Sequence, residues 1–151
     1  MLKGINPLLS PELRKLLCEM GHGDEIVLAD ANFTAESLGR SKTVLRLPSV
    51  SMREACAVVL SVFPLDDFVK QPVAYMQVGG TAPGYRSELQ REVIADKSVG
   101  GTGHSEKCEP LERFSFYERV TRAYAIVQTG EMHAWSNFVF KKGVIAEDLR
   151  P

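Results

Sequence analysis

A histidine between two glycines, Gly21-His22-Gly23, leads into the acids Asp24 and Glu25, and Asp30 stands a few residues further on. Flanking glycines let a chain approach a ligand closely and take positive φ, and an imidazole with a reference pKa of about 6.5 moves protons both ways near neutral pH. That pattern suits a general acid/base. It equally suits a turn histidine that caps a helix end, and these residues alone leave both readings open. Asp24 and Glu25 read as structural, capping and solvating the turn. Asp30 closes the apolar run Glu25-Ile26-Val27-Leu28-Ala29. The carboxyl end of a strand is where α/β sheets place ligand-binding groups, although capping of the next segment accounts for an aspartate there as well.

Other chemistries find less support. The loops Gly79-Gly80-Thr81-Ala82-Pro83-Gly84 and Gly100-Gly101-Thr102-Gly103 carry no lysine and hydroxyl after the last glycine, and neither matches GxGxxG between a strand and a helix, so both read as flexible loops. His22, His104 and His133 show no metal-ligand spacing, and no metal site is expected. A GxSxG elbow is absent, and Cys18, Cys56 and Cys108 sit in no activating motif.

The 151 residues, 44% hydrophobic and 25% charged, fit one globular domain spanning 1–151. With 18 basic and 19 acidic residues and a net charge of -1, nucleic acid is not an expected partner. The three scattered cysteines, without a CxxC pair, read as reduced thiols. Neither a secretory leader nor a membrane-length apolar run is visible, so a cytoplasmic location and no membrane association are expected.

Ser10-Pro11-Glu12-Leu13 starts a helix expected to run to about Gly21 as its C-terminal glycine. Residues 25–29 suit a strand buried on both faces. A short helix from about Thr34 to Gly39 and a strand over Thr43–Leu47 follow. Ser51-Met52-Arg53-Glu54 is a capping box opening a helix whose stripe is Ala55, Val58, Val59 and Val62. Val73–Val78 reads as a strand, Ser87 to about Ile94 as a helix, and Lys97 to about Glu109 as loop. Ser115-Phe116-Tyr117-Glu118 reads as another capping box, then Ala123–Val127 and Phe138–Phe140 as strands. Trp135, Phe138 and Phe140 are expected to be exposed and to supply apolar contact area. Alternating strands and helices imply a largely parallel sheet covered on both faces, the last strands being antiparallel.

Met1-Leu2-Lys3-Gly4-Ile5, Leu9-Ser10-Pro11-Glu12-Leu13, Met20 to Ile26, Ala29-Asp30-Ala31-Asn32-Phe33, Arg113 to Arg119, Thr129-Gly130-Glu131 and Lys141-Lys142-Gly143-Val144 together resemble the fucose mutarotases, relatives of the ribose pyranases. The resemblance spans nearly the whole chain. It implies a three-layer α/β/α, ribose pyranase-like fold with a largely parallel, mixed sheet, and cofactor-free interconversion of the α and β anomers of a free monosaccharide. It also implies a ring-shaped homo-oligomer, typically a decamer, with active sites at subunit contacts. By the same resemblance His22 is the acid/base, Asp30, Arg113 and Asn137 contact the sugar, and Asp66 and Tyr117 are further binding candidates.

Two departures bear on the site. The family's Tyr-Gly-Asn is Trp135-Ser136-Asn137 here, replacing a phenol with an indole that only donates an N–H hydrogen bond. Where the family often has Arg-Ala-Asp-Gly, this chain has Arg46-Leu47-Pro48-Ser49. Trp135 is then expected to offer a flat surface to the sugar's apolar face. The reading is an isomerase acting on L-fucose or a related sugar. The alternative is a non-catalytic monosaccharide-binding or sensor protein on the same fold.

Overall fold

A computed structural model describes residues 2–97, 99 and 104–146; Met1 and the segment Gly100–Gly103, expected to be a flexible loop, lie outside the described residues. In chain order the elements are α1 (Pro11–Glu19), β1 (Glu25–Ala29), α2 (Ala35–Leu38), β2 (Thr43–Leu47), α3 (Met52–Leu60), β3 (Val73–Met76), α4 (Glu88–Ala95), β4 (Cys108–Leu111), α5 (Arg113–Arg122), β5 (Ala125–Thr129) and β6 (Phe138–Lys141). The strands form one six-stranded sheet in the order β2-β5-β1-β6-β3-β4. β2, β5 and β1 pair in parallel, as do β3 and β4, whereas β6 lies antiparallel between β1 and β3.

Strand alternation divides the core in two. Ile26 and Leu28 of β1, Tyr75 of β3 and Phe138 and Phe140 of β6 face α1, α3 and α4. Val27, Ala29, Ala74, Ile126 and Val139 face α2 and α5, where Phe116 and Val120 are fully buried. Three α/β/α layers result. Phe138 and Phe140, expected at the surface, are instead fully buried and stack with ring centroids 6.1 Å apart. Their strand is enclosed by neighbours on both edges and helices on both faces, leaving no exposed position for an aromatic ring.

Several boundaries differ from expectation. α1 stops at Glu19, and Met20 is already extended with ψ 134°, so Gly21 is not its terminal glycine; the left-handed residue is Gly23 at φ 86°, whose amide donates to Lys142 O at 2.8 Å. α3 ends at Leu60, which leaves Val62 outside the helix and 43% exposed rather than in its apolar stripe. The expected 97–109 loop gives way to a 3₁₀ turn at Ser105–Lys107 and to β4, which accommodates Pro110 because it is an edge strand. Ser115 caps nothing. The Glu112 carboxylate accepts the amides of Phe114 and Ser115 at 2.8 and 3.3 Å, so α5 begins at Arg113. The expected box at Ser51/Glu54 closes, and α4 opens on a further box at Ser87/Gln90.

Candidate active site

The parallel strands all end at one edge of the sheet, and antiparallel β6 begins there. A cavity of about 170 Å³ at that edge is lined by Asp30, Asn32 and Phe33 after β1, Met76 of β3, Arg113 and Tyr117 of α5, and Ala134, Trp135 and Asn137 before β6. Five of the seven residues singled out from the sequence are therefore brought together: Asp30, Arg113, Tyr117, Trp135 and Asn137.

Asp30 and Asn137 lock each other. The Asp30 amide donates to Asn137 Oδ1 at 2.8 Å, and Asn137 Nδ2 donates to Asp30 Oδ2 at 2.9 Å. Asn32 N donates to Asp30 Oδ1 at 3.0 Å. Burial pushes the Asp30 carboxyl above its ordinary value, and these donors, with the Ser136 amide, offset only part of that rise. Asp30 thus presents a desolvated carboxylate that is already oriented.

Arg113 donates from Nε to Tyr117 Oη at 3.1 Å, and its guanidinium lies 5.4 Å from the centroid of the Tyr117 ring. Its Nη nitrogens make no hydrogen bond to the described residues, so a planar pair of donors is available to vicinal oxygens. Phe33 meets the Tyr117 ring edge-on at 5.7 Å, fixing the phenol from the other side. Trp135 is half-buried and is the only non-glycine residue with positive φ among the described residues, at 65°. A residue held there stores about 1–3 kcal/mol of strain, which the surrounding structure must hold in place.

His22 and Asp66 are elsewhere. His22 Nε2 and Asp66 Oδ1 are 3.2 Å apart, the histidine side chain 46% exposed and the aspartate buried. Phe68 N also donates to Asp66 Oδ1 at 3.1 Å, and the exposed Phe68 ring lies 5.6 Å from the imidazole. Burial raises the Asp66 carboxyl, but the Phe68 amide, the His22 ring and the Lys141 charge outweigh it and hold the group below its ordinary value. This pair sits where β1 starts and β6 ends, since Gly23 bonds Lys142 and Asp66 N bonds Lys141 O at 3.0 Å. The five residues of β1 separate it from Asp30 by about 16 Å at 3.3 Å per residue.

Glu25 is structural as expected, through an ion pair: Arg119 Nη2 lies 2.7 Å from its carboxylate and Nη1 3.1 Å from Glu109. Glu25 and Arg119 line a basin of about 920 Å³ at the edge opposite Asp30. Its basic groups are already engaged, Arg119 by the two glutamates and Lys42 Nζ by the carbonyls of Val120, Thr121 and Ala123 at 2.6–2.8 Å. Buried Cys108 has its thiol pushed up to about 11, which leaves no thiolate for nucleophilic chemistry at neutral pH.

Sequence reasoning missed the polar residues behind the cavity. Gln128, buried in β5, donates from Nε2 to the carbonyls of Asp30, Ala31 and Phe33 at 3.3, 3.1 and 3.0 Å, and Arg46 donates to its Oε1. An amide inside an apolar strand was the available signal. Glu131 accepts Met52 N at 3.2 Å and lies 2.6 Å from His133 Nδ1, which fixes the loop leading to Trp135.

The RbsD / FucU transport protein family matches residues 3–145. An L-fucose mutarotase of Actinobacillus pleuropneumoniae serotype 5b (strain L20) is 44% identical over 147 residues, covering 95% of this chain and 97% of that protein. The crystal structure of the fucose mutarotase in complex with L-fucose from Streptococcus pneumoniae superimposes with a TM-score of 0.83 at 38% identity, covering 96% of this chain and 100% of that one. Bacillus subtilis RbsD complexed with D-ribose shares the fold, with a TM-score of 0.73 at 20% identity over 97% of this chain and 100% of its own. Matched along nearly its whole length in sequence and in structure, the chain belongs to the RbsD / FucU family.

Proposed function

We propose that this chain, acting as one domain over residues 1–151, is a monosaccharide mutarotase for L-fucose or a closely related sugar, and that it needs no cofactor. The observation that carries the reading is the cavity at the carboxyl edge of the sheet, where Asp30, Asn137 and Arg113 present polar atoms beside the half-buried Trp135. A reducing sugar offers a matching surface of hydroxyls around an apolar C–H face. The relatives named L-fucose mutarotase and the neighbour holding L-fucose support the choice of sugar.

Anomer exchange opens and recloses a cyclic hemiacetal. One group takes the proton of the anomeric hydroxyl while another protonates the ring oxygen; the aldehyde rotates, and the transfers reverse on closure. Asp30, Asn137 and Arg113 hold hydroxyls, Tyr117 holds Arg113, and Trp135 stacks on the sugar face. His22 is the acid/base, with Asp66 bonded to its Nε2 and fixing the ring. Such a group contributes about 10²–10⁴-fold.

Since His22 lies a strand's length from Asp30, the reading requires that His22 of one copy complete the cavity of the next. The cavity's 170 Å³ falls below the roughly 300–1,000 Å³ of ordinary ligand clefts, as suits a half-site. Exposed Phe68 beside His22 and exposed Phe114 and Met132 near the cavity give the two surfaces apolar area for that contact. A ring-shaped homo-oligomer, a decamer by the family resemblance, and a cytoplasmic setting for its free thiols complete the reading. Saturation-transfer NMR over L-fucose, D-ribose and related sugars tests it: faster anomer exchange with catalytic protein is expected, whereas ligand shifts without faster exchange identify a sugar-binding protein instead.

A further inference from the structure

Trp135 is the single tryptophan of the chain. Left-handed backbone is unfavourable for a residue with a β-carbon, so its neighbours must impose the conformation. Two of them do so from behind the cavity wall, and neither lines the cavity. The six-membered ring of the indole lies directly over Gly79, where a β-carbon would fall 2.7 Å from Cη2 and 2.9 Å from Cζ2. Gln90 is fully buried on α4, and its Nε2 donates to Trp135 O at 3.0 Å and to Met76 O at 2.8 Å. Its Oε1 accepts the Ser87 amide at 3.0 Å as part of the capping box. Only an amide side chain fills both roles, because a glutamate at this position would keep the acceptor for Ser87 and lose both donors.

We propose that Gln90 and Gly79 are positioning residues for sugar selection: Gln90 fixes the Trp135 backbone in the left-handed region, and Gly79 provides the space into which the indole turns. Together they set where the stacking wall stands and so which sugars fit. The inference rests on Trp135 being the sugar platform of the proposed mutarotase. It also gives the Ser-x-x-Gln form of the α4 cap a role in the site, since the residue that ends free amides on the helix also ties that helix to the wall.

The test uses Gln90→Glu and Gly79→Ala in the full chain, read by the emission and acrylamide quenching of the lone tryptophan and by exchange kinetics on L-fucose and D-ribose. Gly79 is outside the positive-φ region, so alanine there perturbs the indole without straining the backbone and without touching the α4 cap. Both variants are expected to red-shift and expose the indole, and to raise the half-saturation concentration about threefold or more with a much smaller change in the maximal exchange rate. The L-fucose to D-ribose ratio is expected to move with it. In a Trp135→Phe background, which lacks the ring atoms that meet the new β-carbon, Gly79→Ala is expected to have little further effect. Unchanged emission and quenching in Gly79→Ala, or effects of Gly79→Ala and Trp135→Phe that simply add, overturns the proposal even if Gln90→Glu fails to fold. If the wild type exchanges no sugar, the mutarotase reading fails, while the fluorescence arm still decides whether these residues position the indole.

Discussion

Asp30 and Asp66, at opposite ends of β1, have carboxyls shifted in opposite directions from their ordinary value. Burial raises Asp30 above the ordinary 3.8, so the folded protein holds that proton more tightly than the unfolded chain does. Its contribution to stability is present below 3.8 and is lost as pH rises through the raised folded value. Asp66 is held below 3.8 by the Phe68 amide, His22 and Lys141 against the effect of burial; its contribution is present above 3.8 and is lost as pH falls through the lowered value. Urea midpoints from pH 7 down to 3 check both signs: wild type should gain stability relative to Asp30→Asn as pH falls, and lose it relative to Asp66→Asn at the acid end. Parallel slopes for the two pairs would contradict the assignment. His22→Asn should leave sugar shifts in the NMR spectrum intact while cutting exchange by about 10²-fold or more. Retention of most of the exchange rate would move the proton transfer to another group.

Helix α5 carries two of the residues proposed to recognise the sugar, and local chain geometry sets their positions. Its first residue is Arg113, and Tyr117 follows one turn later on the same face, which is why the guanidinium and phenol meet. The turn is held by Glu112, whose carboxylate satisfies two amides that would otherwise lack partners. Glu112→Ala should cost about 1 kcal/mol of stability, as caps commonly do, and should also weaken sugar binding because Arg113 loses its fixed start. Ser10→Ala removes the cap of α1, which packs on the other face of the sheet. Calorimetric titration with the preferred sugar separates the two: similar stability losses are expected, with affinity reduced only in Glu112→Ala. Equal affinities would mean that Arg113 is positioned from its own side chain outward.

On the scale of the molecule, the two halves of the proposed site face away from each other along β1 and β6. Different surfaces of identical copies then meet head to tail, an arrangement that closes into a ring when the rotation between copies permits. His22→Asn and Arg113→Ala should each be inactive alone. After subunit exchange in an equal mixture, activity should recover to about a quarter of wild type, since random pairing leaves that share of shared sites intact on both sides. A site contained within one copy predicts no recovery, and a monomer mass by light scattering at micromolar concentration removes the shared site altogether.

Local pattern made much of this molecule legible in the sequence. The capping signals at Ser10 and Ser51 mark helix starts because a hydroxyl that satisfies free amides acts within one turn of chain. The apolar run before Asp30 marks a strand buried on both faces and places the aspartate at its carboxyl end. The family motifs named Asp30, Arg113, Tyr117, Trp135 and Asn137, and the fold gathers those five around one cavity. Strand order was not legible, because a strand's residue pattern records burial and not the identity of its neighbours. Only tertiary structure puts β6 between β1 and β3, which buries Phe138 and Phe140, pairs Asn137 with Asp30, and sends Lys141 and Lys142 to the far edge beside Asp66 and His22. The choice of Glu112 over Ser115 as cap, and the bonds of Gln90 and Gln128 behind the cavity, were likewise decided there. A polar side chain reveals its role only when folding removes water and leaves specific partners within hydrogen-bond reach.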